Sequence, residues 1–379
     1  MNIDTDNFEV GFNIPAKIGM SVKDIQTPAL IIDFSLFQEN VKKMKDFCNN
    51  KKILLRPHAK MHKSVDIAKY QLKHGGAHGI CCQKVSEAEV FAKSGIKDIL
   101  VTNQICDPLK IKRLVKLAKS GCNISCCVDN FQNVLDIEQC AKENNTCIDI
   151  YIEFECGAGR CGISSKDEIN KIISLIKECK FLRFKGLQAY NGSNQHILDI
   201  KKRQNAVLNT NLTIKEIIDS LDFDKPLITG AGTGCFEDEV KSNVYNEIQV
   251  GSYAFMDAHY SRVIKKENNT IFFKNSLFLL TSVISTNLKD HAVVDAGLKS
   301  QSVDSGLPSI LKDDDLRYIK CSDEHGIIED KKNKLKINDK IFLIPGHCDP
   351  TCNLHDWYVL IKNNVVYDLW PVSARGFSF

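Results

Sequence analysis

Short apolar runs recur along the first two-thirds of the chain at residues 53–56 (ILLR), 79–82 (GICC), 98–101 (DILV), 124–128 (ISCCV), 148–154 (IDIYIEF), 184–189 (FKGLQA), 226–229 (PLIT) and 247–250 (EIQV). Each is short enough for a buried strand. Segments of helical period lie between most of them. Ile111, Leu114, Val115 and Ala118 recur at i, i+3, i+4 and i+7, as do Ile169, Ile172, Ile173 and Ile176, while Phe37, Val41 and Met44 precede the first run. Asp107-Pro108 sets a capping carboxylate before a first-turn proline, and Ser86-x-x-Glu89 and Ser165-x-x-Glu168 read as capping boxes. Between the seventh and eighth runs, residues 236–245 must supply a short helix. Strand and helix alternating eight times predict a parallel sheet closed into a (β/α)8 TIM barrel over residues 33–262.

Beyond residue 262 the rhythm changes. Strand-like runs at 271–273, 277–283, 292–294, 340–344, 357–360 and 365–367 are separated by Asn, Asp, Gly and Lys clusters, which predicts an antiparallel β domain. Residues 14–32 carry Thr27-Pro28-Ala29-Leu30-Ile31-Ile32 just before the first helix and can pair with it. The β domain therefore comprises 1–32 plus 263–379.

Composition narrows the classes. The 379 residues are 43% hydrophobic and 26% charged, enough for one large and one smaller unit, and the net charge of +3 gives no footprint for nucleic acid. The N-terminus Met1-Asn2-Ile3-Asp4-Thr5-Asp6 lacks the basic-then-apolar order of a signal peptide, and no run reaches membrane-spanning length. A cytoplasmic protein with no membrane or nucleic-acid partner is expected. The sixteen cysteines never fall in CxxC spacing, so reduced and mostly buried thiols are expected.

A barrel carries its chemistry in the loops after its strands. After the first comes Arg56-Pro57-His58-Ala59-Lys60, a primary amine at the barrel mouth among Arg56, His58, His62 and Lys63, a setting that suits Schiff-base chemistry. After the seventh comes Gly230-Ala231-Gly232-Thr233-Gly234 and after the eighth Gly251-Ser252-Tyr253, where glycines let backbone N–H groups approach a phosphate and two hydroxyls join them. An amine beside a phosphate cradle suits a phosphorylated aldehyde, for which pyridoxal 5'-phosphate is the natural choice.

After the fifth strand, the glycines of Cys156-Gly157-Ala158-Gly159-Arg160-Cys161-Gly162 offer Arg160 to a phenolate-type oxygen, and Glu153 with Glu155 forms polar lining on one strand face. Tyr190 and His196 follow the sixth. In the β domain, Pro345-Gly346-His347-Cys348-Asp349-Pro350 separates an imidazole from a carboxylate by one residue, so that both can bind one divalent cation, with Cys348 a competing zinc ligand. Two protein ligands leave open sites for a substrate oxygen. Asp315, Asp323, Glu324, His325 and Arg375 are further residues that can face the pocket from this domain.

Arg56-Pro57-His58-Ala59-Lys60, Gly159-Arg160-Cys161-Gly162, Gln188-Ala189-Tyr190, the 230–234 and 251–257 segments, Asp323-Glu324-His325-Gly326 and His347-x-Asp349 together resemble the D-threonine aldolase and D-serine dehydratase family of alanine racemase fold, from about Thr27 to Arg375. The resemblance implies pyridoxal phosphate anchored on Lys60, an Arg160 contact to the ring oxygen, and Mn, Mg or Zn at His347 and Asp349. It also implies His196 as base, directly or through a water, and a homodimer. Met61 and Asn191 depart from the family's threonine and histidine at those places. The aldolases carry histidine and aspartate where the dehydratases carry histidine and cysteine, so the resemblance implies a lyase that splits D-threonine-like β-hydroxy-α-amino acids into glycine and an aldehyde. A D-serine dehydratase giving pyruvate and ammonia is the alternative, and a non-enzymatic pyridoxal-phosphate carrier a third reading.

Overall fold

The structure is a computed structural model, and it describes residues 8–221, 223, 226–264 and 272–379. Eight parallel strands, Leu54–Leu55, Ile80–Cys82, Asp98–Gln104, Asn123–Val128, Ile148–Glu153, Leu182–Ala189, Leu227–Gly230 and Glu247–Ile248, fall on the eight apolar runs. They pair in sequence order, with the last beside the first. A parallel bridge between His58 and Cys81, with Ala59 N–H donating to the Cys81 carbonyl at 2.8 Å, joins the first strand to the second and closes the ring. This is the (β/α)8 barrel that the alternation predicts.

The helices follow the periodic segments, and their caps explain their starts. Asp107 accepts from the Lys110 N–H at 3.0 Å with Pro108 in the first turn, and Ser165 accepts from Glu168. The Ser86-x-x-Glu89 box does not form. Helix Val85–Lys93 begins two residues earlier than a Ser86 cap would set it, Glu87 takes the Gln83 and Lys84 N–H groups at 2.8 and 3.2 Å, and Glu89 is pulled aside by a two-pronged contact with Arg113. The short helix expected between the last two strands is Phe236–Lys241.

The second sheet runs Arg317–Cys321, Gly326–Glu329, His291–Val294, Leu277–Ser285, Ala29–Asp33, Trp357–Lys362, Val365–Pro371, with Lys340–Ile344 branching from Leu277–Ser285 and carrying Ser309–Ile310. Strand Ala29–Asp33 sits at its centre, antiparallel to Leu277–Ser285 but parallel to Trp357–Lys362. The sheet is therefore not purely antiparallel, because its central strand arrives from the far end of the chain. Phe272 and Phe273 form no strand, and Ile271 lies outside the described residues. Three short strands at 309–310, 317–321 and 326–329 carry too little alternation to be read in advance.

The two sheets are locked together where the site will form. Cys348 donates its N–H to Asp257 at 3.0 Å, Tyr358 donates its hydroxyl to the His62 carbonyl at 2.7 Å, and Ala374 N–H reaches the Lys63 carbonyl at 2.8 Å. All sixteen cysteines are free, most of them buried. Among the described residues, no helix is long and apolar enough to cross a membrane.

Candidate active site

One cavity at the C-terminal mouth of the barrel is lined by Lys60, Arg160, Tyr190, His196, Gly232, Thr233, Gly251 and Ser252 from the barrel loops, and by His347 and Asp349 from the second sheet. The sequence-predicted groups thus converge. Lys60 stands half-exposed with its Nζ 3.8 Å from Asp349 Oδ2. Its expected cationic neighbours mostly turn away. Arg56 pairs with Glu247 and Asp98, Lys63 with Glu87 at 3.3 Å, and His62 is buried with its Nδ1 accepting from Ser64. Only His58 stays in the cavity. Its Nδ1 takes the Lys60 N–H at 3.4 Å, so the ring proton sits on Nε2 and faces Thr102 Oγ1 at 2.9 Å. Burial, then the Lys60 and His62 charges, hold this imidazole well below the usual histidine range.

The glycine loops divide their labour. Gly232 and Gly251 line the cavity, where a Cβ on Gly232 would come within 2.6 Å of the Gln195 side chain and one on Gly251 within 3.1 Å of the His58 carbonyl. Gly230 and Gly234 serve packing instead, since a Cβ on them would meet the Ala189 and Gln195 carbonyl oxygens at 2.0 and 2.3 Å. Thr233 braces the pair of loops by accepting the Tyr253 N–H at 3.1 Å. Tyr253 adds no hydroxyl to the cradle, because its ring is fully buried and its oxygen accepts from Gln71 at 3.1 Å. Bare loops around Ser252 and Thr233 fit a phosphate group.

Arg160 extends a guanidinium 3.4 Å from Glu153 and 5.8 Å from the Tyr190 ring centre. Glu155 does not share a strand face with Glu153. It lies past the strand end and accepts the Gly157 and Arg160 N–H groups at 2.5 and 3.1 Å, holding the loop that presents Arg160. Burial raises the Glu153 carboxyl, whereas in Glu155 the backbone donors outweigh burial and lower it. Asn191 is buried against the Cys156 carbonyl and Thr210, and Met61 fills the cavity wall.

His347 Nδ1 lies 2.7 Å from Asp304 Oδ2, which leaves Nε2 as the ligating nitrogen. Asp349 is the second residue of the short helix Cys348–Cys352 and receives the Ser252 hydroxyl at 3.4 Å. No third His, Cys, Asp or Glu joins them in a metal-holding group among the described residues. An imidazole oriented by one carboxylate, beside a second carboxylate at the cavity, fits a divalent ion with open positions. Cys348 drops out as a ligand. Its thiol is fully buried and burial pushes it well above its ordinary value.

His196 ends the turn Gly192–His196 with Nδ1 2.9 Å from His259 Nε2. The sequence offers no signal for Asp304 or the buried amide Gln249, and Gln188 enters there only as part of a motif, with no role. His259 lies two residues past the 251–257 segment, the one signal near it. Asp315, Glu324 and Arg375 do not line the cavity and pair with Lys332, Lys299 and Asp356 respectively.

The alanine racemase N-terminal domain family matches residues 32–259, and the serine dehydratase domain family matches residues 276–361. A 3-hydroxy-D-aspartate aldolase of Paracoccus denitrificans (strain Pd 1222) is 49% identical over 384 residues, covering 99% of each chain. The chain belongs to the D-threonine aldolase and D-serine dehydratase family. A D-threonine aldolase of Arthrobacter sp is 38% identical over 96% of each chain. The crystal structure of D-threonine aldolase from Filomicrobium marinum superposes with a TM-score of 0.93 at 36% identity, covering 96% of this chain and all of that one. The two matched stretches cover most of the barrel and of the second sheet, and His347 and Asp349 stand at the cavity between them.

Proposed function

We propose that this chain is a pyridoxal-phosphate- and divalent-metal-dependent aldehyde-lyase that splits D-β-hydroxy-α-amino acids into glycine and an aldehyde. The aldehyde-lyase class is supported by two relatives, 49% and 38% identical, that are named aldolases. The observation that carries the finer reading is the 3.8 Å approach of Lys60 Nζ to Asp349, which sets the anchoring amine against the His-x-Asp motif in one cavity. When bound, pyridoxal phosphate supplies a conjugated acceptor for the electron pair of the broken bond and the divalent ion supplies positive charge at the substrate hydroxyl.

The residues then have distinct tasks. Lys60 would hold the cofactor through its side-chain amine. Thr233, Gly251 and Ser252 bind its phosphate, Gly232 leaves room for its close approach, and Gly230, Gly234 and Tyr253 shape the loops from behind. Arg160 and Tyr190 hold the ring edge. His347 and Asp349 hold the ion, and His196 takes the hydroxyl proton as the Cα–Cβ bond breaks. Residues 33–262 form the cofactor-binding unit and 1–32 plus 263–379 the unit that carries the metal loop, in a cytoplasmic homodimer.

A product assay with added Mn²⁺, Mg²⁺ or Zn²⁺ tests this. The identities favour 3-hydroxy-D-aspartate as first substrate and D-threonine as second. Glycine plus an aldehyde is expected. A keto acid plus ammonia, the outcome that the match to the serine dehydratase domain family keeps open, would replace this reading with a dehydratase. No product from any substrate leaves a cofactor carrier.

A further inference from the structure

Behind the proposed phosphate cradle lies a carboxyl that the reaction does not use. Glu239, on helix Phe236–Lys241, is 1% exposed. Its Oε2 accepts the Gly232 N–H at 3.0 Å and its Oε1 accepts the Gln195 amide N–H at 3.1 Å. The backbone N–H of Gly232 is the kind of donor a glycine loop ordinarily turns to an anion. Here the protein's own carboxyl has taken it.

A second, independent feature lies beside it. Gln195 is fully buried, and its Oε1 has no hydrogen-bond partner among the described residues. That atom adjoins Gly232, 2.6 Å from where a Cβ would stand. A buried acceptor without a donor is costly. The neighbouring Glu239 can supply the donor only as an acid: if the amide turns over, an O–H on Glu239 meets Gln195 Oε1, and the amide N–H₂ is left beside Gly232.

We propose that Glu239 serves the cradle as an un-ionised carboxyl, a positioning residue whose proton is taken up or retained whenever the phosphorylated cofactor binds. The proposal rests on the reading of the cavity as a pyridoxal-phosphate site. An ionised Glu239, buried from bulk solvent, would set a second and weakly screened anion against the phosphate. The groups around it give no relief. Asp238 adds negative charge, while Cys156, Tyr190, Cys235 and Tyr245 are thiols and phenols that burial holds in their neutral forms. Arg203, a buried cation that acts on the neighbouring Cys235, gives its Nη1 to the Ile197 carbonyl. Burial lifts the Glu239 carboxyl to about 8, although the Gly232 and Gln195 donors oppose the rise.

Binding of pyridoxine 5'-phosphate, which lacks the aldehyde and so forms no bond to Lys60, tests the inference on the full-length protein freed of cofactor. Unphosphorylated pyridoxine is the control. From about pH 7.5 to about pH 9.5 the phosphate is already dianionic, so its own titration does not intrude. The wild-type affinity for the phosphate ester, taken relative to that for pyridoxine so that the ring ionisation common to both ligands cancels, is expected to fall by up to about tenfold for each pH unit above about 8. In Glu239→Gln, which keeps shape and hydrogen bonding without a charge, that ratio is expected to stay flat. Parallel wild-type profiles for the two ligands, or an undiminished fall in Glu239→Gln, would overturn this inference alone. The wild-type comparison decides even where the variant does not fold. Failure of both ligands to bind at any pH would overturn the reading of the site, and this inference with it.

Discussion

The Nδ1 atom of His196 lies 2.9 Å from Nε2 of His259. Because Nδ1 is committed to that contact, Nε2 is the nitrogen of His196 available to the cavity. His259 is held from its far side by Arg262, whose Nη2 is 3.4 Å from Nδ1. The proposed base is thus aimed by a ring that does not itself line the cavity. His259→Ala is expected to lower kcat on the order of 10- to 100-fold with KM little changed, the loss associated with a misplaced proton acceptor. His259→Gln should recover part of it. An unchanged kcat in the alanine variant would show that the pair does not position His196.

The same histidine sets a pH limit. Burial, then the nearby His347 and Lys60 charges, lower the His196 pKa below its ordinary value of 6.5. A lowered pKa means that the neutral, proton-accepting form persists into more acidic solution, and a bound divalent ion pushes the same way. The acid limb of kcat/KM should therefore fall below pH 6.5 and steepen only as His196 becomes charged. A limb centred above that value would assign it to another group.

Metal and cofactor should come apart in experiment. Chelation is expected to stop turnover while the visible absorbance of the Lys60-bound cofactor remains, since the cradle and the metal loop belong to different sheets. Borohydride reduction and peptide mapping should tag Lys60 before and after chelation. Asp304→Asn removes the carboxylate behind His347 Nδ1 and should weaken metal affinity by roughly 10- to 100-fold. Turnover that survives chelation with reconstitution controls would exclude the metal from the reaction.

Much of this architecture is legible in the chain because burial on both faces turns each barrel strand into an apolar run, and the loop after it inherits a predictable position. Lys60, Gly232 and Gly251 follow from that rule. His347 and Asp349 were found by their spacing. What resisted reading depends on side-chain direction. Tyr253 is adjacent to Ser252 yet points into the core toward Gln71, and Arg56 is four residues from Lys60 yet turns toward Glu247. The partners His259, Asp304 and Glu239 are 63, 43 and 7 residues from the groups they touch, distances across which periodicity carries no information. Three β-domain strands escaped because half-exposed short strands lack a continuous apolar run.

The Arg56–Glu247 pair yields a stability prediction with a definite sign. Arg56 is 5% exposed, its Nε donates to Glu247 Oε2 at 3.0 Å, and it also meets Asp98, while His78 Nε2 approaches the same Glu247 oxygen at 2.5 Å. Burial alone would raise the Glu247 carboxyl, but the His78 hydrogen bond and the Arg56 charge outweigh it and hold the group below its ordinary value. Arg56→Ala strands a carboxylate that is fully buried, which costs about 3–5 kcal/mol at neutral pH. In the wild type the depressed folded pKa contributes stability that is present above the unfolded value and lost as pH falls through the folded one. In the variant the carboxyl keeps His78 and Thr229 but loses the Arg56 charge, so it is raised relative to the wild type and its penalty shrinks as acid protonates it. Urea unfolding of both proteins should therefore show a gap that is widest near neutrality and narrows below the ordinary glutamate range. A gap independent of pH would mean that Arg56 contributes packing rather than charge.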